Sequence, residues 1–265
     1  ALDILCEVIY DNSSAGKQVL AEIQHLTNLG MEGKLSLKES LTKRIKLLQA
    51  NRDHLGAVID VLKNKVSASV IRNRNFFKQH AENIYIISNG FKEIIIPIVQ
   101  EYCIKPEQVL ANTFKFDHDG KIIGFDETDE LCENQGKVRK IKSLELTGEA
   151  IMIGDGYTDY ETLQGGAVSK FYAFTENVRR EVVIAKADRL APSLDEILYD
   201  LSYKASVSYP KNRISVLLLE NIHEDAKQIF EQEGYNVETI KGSISEEELC
   251  KRIKDVSILG IRSKT

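Results

Sequence analysis

The apolar run Ala150-Ile151-Met152-Ile153 stops abruptly at Gly154-Asp155-Gly156-Tyr157-Thr158-Asp159. A short apolar run closed by glycine reads as a buried strand whose end delivers a carboxylate into a crevice. Asp159 follows Asp155 by four residues, and the glycine between them permits tight backbone geometry. Two acids this close repel unless a cation lies beside them, and a hard, oxygen-seeking ion such as Mg²⁺ suits them. A strand followed by an ordinary Asp-Gly turn fits the same residues, so the surroundings must decide.

Those surroundings predict an α/β protein. Residues 1–80 are helical in pattern: Leu41, Ile45 and Leu48 share one face and Val58, Val61 and Leu62 another, with a break at Gly30 to Gly33. Residues 84–87 form an apolar strand run ending at Ser88-Asn89-Gly90, and a helix follows through Ile94, Ile98 and Val99. Residues 113–123 alternate around a turn as a hairpin. A basic helix from Gly136 to Leu146 leads into the strand at 150–153; two further short strands are expected at Val168 to Phe174 and Ala187-Asp188, with a helix between them. This alternation argues for a mainly parallel sheet covered by helices. After a junction at 204–213, strands at 214–219, 236–240 and 257–261 alternate with helices at 225–232 and 246–253, a βαβαβ unit of flavodoxin-like pattern. That unit is short for a domain, and the chain opens directly in a helical pattern from Ala1; together these suggest a piece of a longer protein.

Composition narrows the function class. A net charge of −5 gives no reason to expect nucleic acid. No apolar run approaches the length of a membrane span. Cys6, Cys103, Cys132 and Cys250 lie far apart, without metal-type or redox-type spacing, which suggests reduced thiols and a cytoplasmic protein.

Three sites carry the chemistry. Ser88-Asn89-Gly90 at a strand end offers a hydroxyl and backbone N–H groups as an anion cradle, although a helix N-cap would also use Ser88. Lys137 is a compact charge suited to phosphate, although Arg139, Lys140 and Lys142 beside it suggest a solvated helix face. The third is the Asp155/Asp159 pair.

In this order and spacing the three resemble motifs two, three and four of the haloacid dehalogenase phosphatases. Met31-Glu32-Gly33-Lys34-Leu35, Glu39-Ser40-Leu41, Arg44 and Ala111-Asn112 extend the likeness to the phosphoserine phosphatases over most of residues 1–200. The resemblance implies a Rossmann-like parallel sheet with a helical cap at about residues 10–75, in a domain over residues 1–203. It implies Mg²⁺ on Asp155, with Asp159 holding the metal site and orienting Lys137. Lys137, Ser88, Asn89 and Gly90 would bind the phosphoryl group of a small phosphorylated substrate, and Thr158 stands where some relatives have Asn. Arg44 would take the substrate carboxylate, for which a planar guanidinium is well shaped, with Glu32 and Met31 nearby in the cap. Asn89 departs from the glycine often found in the family. The larger departure is that the family's nucleophile motif, Asp-x-Asp-[Ser/Thr], occurs nowhere in the chain. Asp117-His118-Asp119-Gly120 is only superficially like it and falls in the hairpin. The expectations are a sheet missing the strand between Ser88 and Asp155, and a chain inactive as a phosphatase.

Residues 214–265 resemble the opening of the D-3-phosphoglycerate dehydrogenases, through Val216 to His223, Glu233-Gly234-Tyr235 and above all Gly260-Ile261-Arg262-Ser263-Lys264-Thr265. Arg262 and Ser263 match substrate-contacting positions of that family, while its NAD-binding glycines and catalytic histidine are absent; His223 reads as a cap or a surface residue. The two resemblances imply a serine-biosynthesis fusion, with NAD needed only by the missing dehydrogenase part and a possible homo-oligomer through that half. Two other readings remain: a phosphatase for another small phosphomonoester, and a regulatory module that binds serine or phosphoserine.

Overall fold

The computed structural model describes residues 2–10, 13–31, 34–207 and 210–262, with only the backbone of Met31. Two compact units divide between Phe171 and Tyr172. The sequence reading places its domain junction later, at 204–213.

Six helices open the first unit: α1 (Leu2–Tyr10), α2 (Ser14–Met31), α3 (Leu37–Leu48), α4 (His54–Lys63), α5 (Ala68–Arg72) and α6 (Arg74–His80). Local chemistry sets the bounds of α3. The Ser36 hydroxyl accepts from Glu39 N at 3.2 Å, and Glu39 Oε2 accepts from Ser36 N at 3.2 Å, a reciprocal cap. Gln49 ends the helix in the left-handed region at φ 46°.

β1 (Ile86–Phe91) leads into α7 (Lys92–Val99), and β2 (Val109–Asn112) returns parallel to β1. Two expectations change here. The strand does not end at Ser88 but continues to Phe91, because an irregularity after the Ser88↔Ala111 pair absorbs residues 89 and 90 before Phe91 pairs with Asn112. The sequence reading also passes over β2, whose four residues are too few to show a period. The hairpin forms as expected from β3 (Phe114–Phe116) and β4 (Ile122–Phe125). α8 (Gly136–Lys142) is shorter than the expected helix; it is followed by β5 (Ile151–Gly154) and α9 (Tyr157–Gln164).

The core of this unit joins the helical segment to the strands. Leu5, Ile23, Leu41, Leu48 and Val58 pack in one cluster with Phe91, Ile94, Phe114 and Phe125. The Phe91 and Phe114 rings stack at 3.7 Å. Among the described residues no ladder joins β1 or β2 to β5, so the sheet is interrupted between the strand carrying Ser88 and the strand leading to Asp155. That interruption is the one expected from the sequence.

The chain continues through β6 (Lys170–Phe174), α10 (Glu181–Ile184), β7 (Arg189–Ala191) and α11 (Leu194–Asp200). β6 and β7 pair in parallel; β7 begins two residues later than expected, and α11 was not read from the sequence. Then come β8 (Ser215–Leu218), α12 (Glu224–Gln232), β9 (Asn236–Thr239), α13 (Glu246–Arg252) and β10 (Ile258–Gly260). The sheet order β10-β8-β9, all parallel, is the expected βαβαβ arrangement with its first strand central. His223 is the cap of α12, accepting from Asp225 N at 3.3 Å. All four cysteines are free thiols. Among the described residues no helix is long and apolar enough to cross a membrane.

Candidate functional site

The end of β5 is built around Asp159. A Cβ on residue 154 would lie 2.2 Å from Asp159 Oδ2, so only glycine lets that carboxylate fold back over the strand end. Asp159 is in the first turn of α9, and its Oδ2 accepts from Gly156 N at 3.0 Å. Its Oδ1 lies 2.6 Å from Lys137 Nζ. Both side chains are buried, Lys137 at 8% and Asp159 at 8% exposure, which separates Lys137 from the solvated basic face suggested by its neighbours. An ion pair this far from water persists when each charge is matched and hydrogen-bonded. Asp155 stands half-buried at the bend between β5 and α9, and Thr158 is half-buried in the first turn of α9. Glu161, one turn along α9, has its carboxyl raised by burial, with the Lys137 charge opposing the shift.

The Ser88 loop is held by its own amides. Ser88 Oγ accepts from Gly90 N at 3.0 Å, so the hydroxyl is not the cap of α7, whose N-cap is Phe91. Asn89 Nδ2 donates to Leu131 O at 2.7 Å, and Asn112 Nδ2 donates to Asn89 O at 3.0 Å. Asn112 is fully buried, and its Oδ1 has no partner among the described residues.

Arg44 sits in the helical segment. Its Nε donates to Ser40 O at 3.2 Å and its Nη1 to Thr27 Oγ1 at 3.2 Å. Burial lowers its pKa, with Asp3 opposing. A guanidinium carries five N–H donors, so three remain without a partner among the described residues. Among those residues, no hydrogen bond joins Arg44 to the Lys137–Asp159 pair or to the Ser88 loop. Glu32, Ser263 and the Met31 side chain lie outside the described residues; Arg262 is exposed. Asp117 Oδ1 accepts from Asp119 N and Lys121 N, which makes that acid a turn former of the hairpin.

No protein-family model matches this chain. Rat phosphoserine phosphatase is 30% identical over 186 residues, which span 69% of this chain and 82% of the rat protein. The chain belongs to the phosphoserine phosphatase family. The chloroplastic phosphoserine phosphatase of Arabidopsis thaliana is 28% identical over 178 residues, and the chain spans only 60% of that protein. A solved phosphoserine phosphohydrolase-like protein from Francisella tularensis superposes with a TM-score of 0.65 at 28% identity, covering 76% of this chain and 92% of that one. This phosphoserine phosphatase relative is also 50% identical over 60 residues to D-3-phosphoglycerate dehydrogenase of Dictyostelium discoideum, a match over 23% of this chain and 15% of that protein.

One tie in the phosphoserine phosphatase fold was missed from sequence. Asn89 read only as a departure in the phosphate cradle, yet its side chain reaches Leu131, 42 residues away. No short-range pattern encodes a contact of that span.

Proposed function

We propose that the chain carries the phosphate- and metal-binding part of a Mg²⁺-dependent phosphoserine hydrolase site. The observation that carries this reading is the buried Lys137–Asp159 pair at the end of β5, beside Asp155. Asp155 and Asp159 offer hard oxygens that fit Mg²⁺. Among the described residues no group of three or more metal-ligating side chains gathers. A small ion held by one or two carboxylates completes its shell with water and substrate phosphate. When bound, the metal supplies Lewis-acid polarisation of a phosphoryl oxygen.

The residues divide the remaining work. Asp155 is the direct metal ligand. Asp159, with Lys137 and Gly156 N on its two oxygens, steadies the metal site and aims the Lys137 ammonium. Lys137 neutralises charge on the phosphoryl oxygens, and the Ser88 hydroxyl with the loop backbone at Asn89 and Gly90 orients them. Thr158 stands in the first turn of α9, beside the Asp155 and Asp159 end of the site. Arg44 offers its remaining N–H donors to the substrate carboxylate. The family reaction passes the phosphoryl group to an aspartate and then to water. With no Asp-x-Asp-[Ser/Thr] in its 265 residues, the chain alone binds phosphoserine without hydrolysing it.

The match to phosphoglycerate dehydrogenase supports a second proposal. Residues 214–265 are the start of a dehydrogenase joined to the phosphatase, in a cytoplasmic serine-biosynthesis protein. There Arg262 and Ser263 contact phosphoglycerate, and NAD is required only by residues absent from this chain.

Titration calorimetry with O-phospho-L-serine and Mg²⁺ tests the main reading. The chain should bind it, and Arg44→Ala should weaken that binding while leaving phosphoethanolamine, which has no carboxylate, unaffected. Equal loss for both ligands would remove Arg44 from its role. Steady phosphate release by the native chain would overturn the binding-only reading.

A further inference from the structure

The anion loop at Ser88–Gly90 and the ammonium of Lys137 come from separate elements with an interrupted sheet between them. A phosphoryl group can be shared by the two only if their spacing is fixed. The short 3-10 turn Glu130–Cys132 touches both. On one side, Leu131 O accepts the Asn89 carboxamide at 2.7 Å. On the other, Glu130 O lies where a side chain on residue 136 would begin, 1.8 Å from an added Cβ, so the turn presses directly on the backbone preceding Lys137. The turn is itself firm. Leu131 is fully buried, and Asp129 Oδ1 accepts from Leu131 N at 3.0 Å. The far side of Asn89 is fixed as well, since its carbonyl accepts from the buried Asn112.

We propose that Asn89 is a positioning residue: its carboxamide ties the Ser88–Gly90 loop to the Glu130–Cys132 turn and so sets the distance between the loop's anion donors and Lys137. The inference rests on the reading that these two groups hold one phosphoryl group. A glycine at position 89 could form the same loop but could not tie it. The tether therefore gives the side chain a role outside the cradle, toward the turn rather than toward the ligand.

The probe is inorganic phosphate with Mg²⁺, titrated by calorimetry into the full chain and into Ser88→Ala, Asn89→Gly and Asn89→Asp. At pH 7, Asn89→Gly and Asn89→Asp should each bind about three- to tenfold more weakly than the native chain, the size expected for one lost hydrogen bond. Sulfate, which stays fully charged in acid, supplies a second readout. As pH falls through the carboxylate range, the carboxyl group of the Asn89→Asp variant takes up a proton and can donate it to Leu131 O. That variant should then approach the native affinity while Asn89→Gly stays weak. If Ser88→Ala weakens phosphate but Asn89→Gly binds like the native chain, the tether is overturned and the site stands. A lower melting temperature for Asn89→Gly at unchanged affinity also overturns it, because the bond would then be purely structural. If Ser88→Ala has no effect, or the native chain binds no phosphate, the shared-phosphoryl reading fails and takes the tether with it.

Discussion

At single residues, the site depends on close approaches that only certain side chains allow. Gly154→Ala would put a methyl 2.2 Å from Asp159 Oδ2 and push that carboxylate off Lys137. The expected outcome is a folded protein with Mg²⁺-dependent phosphoserine binding reduced at least about tenfold, since a charge-assisted bond is lost; native-like affinity would show that Asp159 can shift without consequence. Glu93 makes a pH prediction. Its Oε1 accepts from Phe114 N at 3.0 Å, its Oε2 is buried without a partner among the described residues, and burial raises its pKa. The folded state therefore holds the Glu93 proton to higher pH than the unfolded chain does. The stability it contributes is full below the ordinary glutamate range and is lost as pH rises through the raised folded value. Urea unfolding of the native chain and Glu93→Gln across the carboxylate range and up to neutral pH should show this downward slope in the native chain and its absence in the variant. A parallel pair of curves would contradict it. The acids and the lysine were legible in the sequence because their types and order are chemical. The Asn89–Leu131 tie and the unpartnered Glu93 oxygen were not, since both depend on contacts between distant segments.

Among the helices and strands, boundaries followed local chemistry where the sequence carries it. The reciprocal Ser36–Glu39 bonds fix the start of α3, the helix that carries Arg44. Ser36→Ala should cost about 1 kcal/mol in thermal or denaturant unfolding; no change would mean that tertiary packing alone holds that helix end. Residues 204–213 were read as a junction because no period spans them, and β8 to β10 were read within a residue or two because apolar and turn residues alternate cleanly there. β2 was missed because four residues give no period. β1 was cut short because Ser88-Asn89-Gly90 looks like a turn, whereas an irregularity in the ladder lets the strand continue. Both errors share a cause: parallel pairing is long-range and leaves little trace in a short segment.

For the molecule as a whole, the sheet of the first unit is interrupted among the described residues. β1 and β5 share no ladder among the described residues, and an unpaired strand edge is open to association. The α/β class, the helical segment and the second βαβαβ unit were all legible from alternating patterns. The division at Phe171 was not, because it reflects packing and not composition. The proposed function turns on Lys137, aimed by Asp159 through their buried ion pair, holding the phosphoryl group of phosphoserine. That role is tested by titrating O-phospho-L-serine into the native chain and Asp159→Asn in saturating Mg²⁺. The variant, still folded, is expected to bind at least about tenfold more weakly, in line with the loss of a charge-assisted bond. Equal affinity in the two proteins would contradict the role given to the pair.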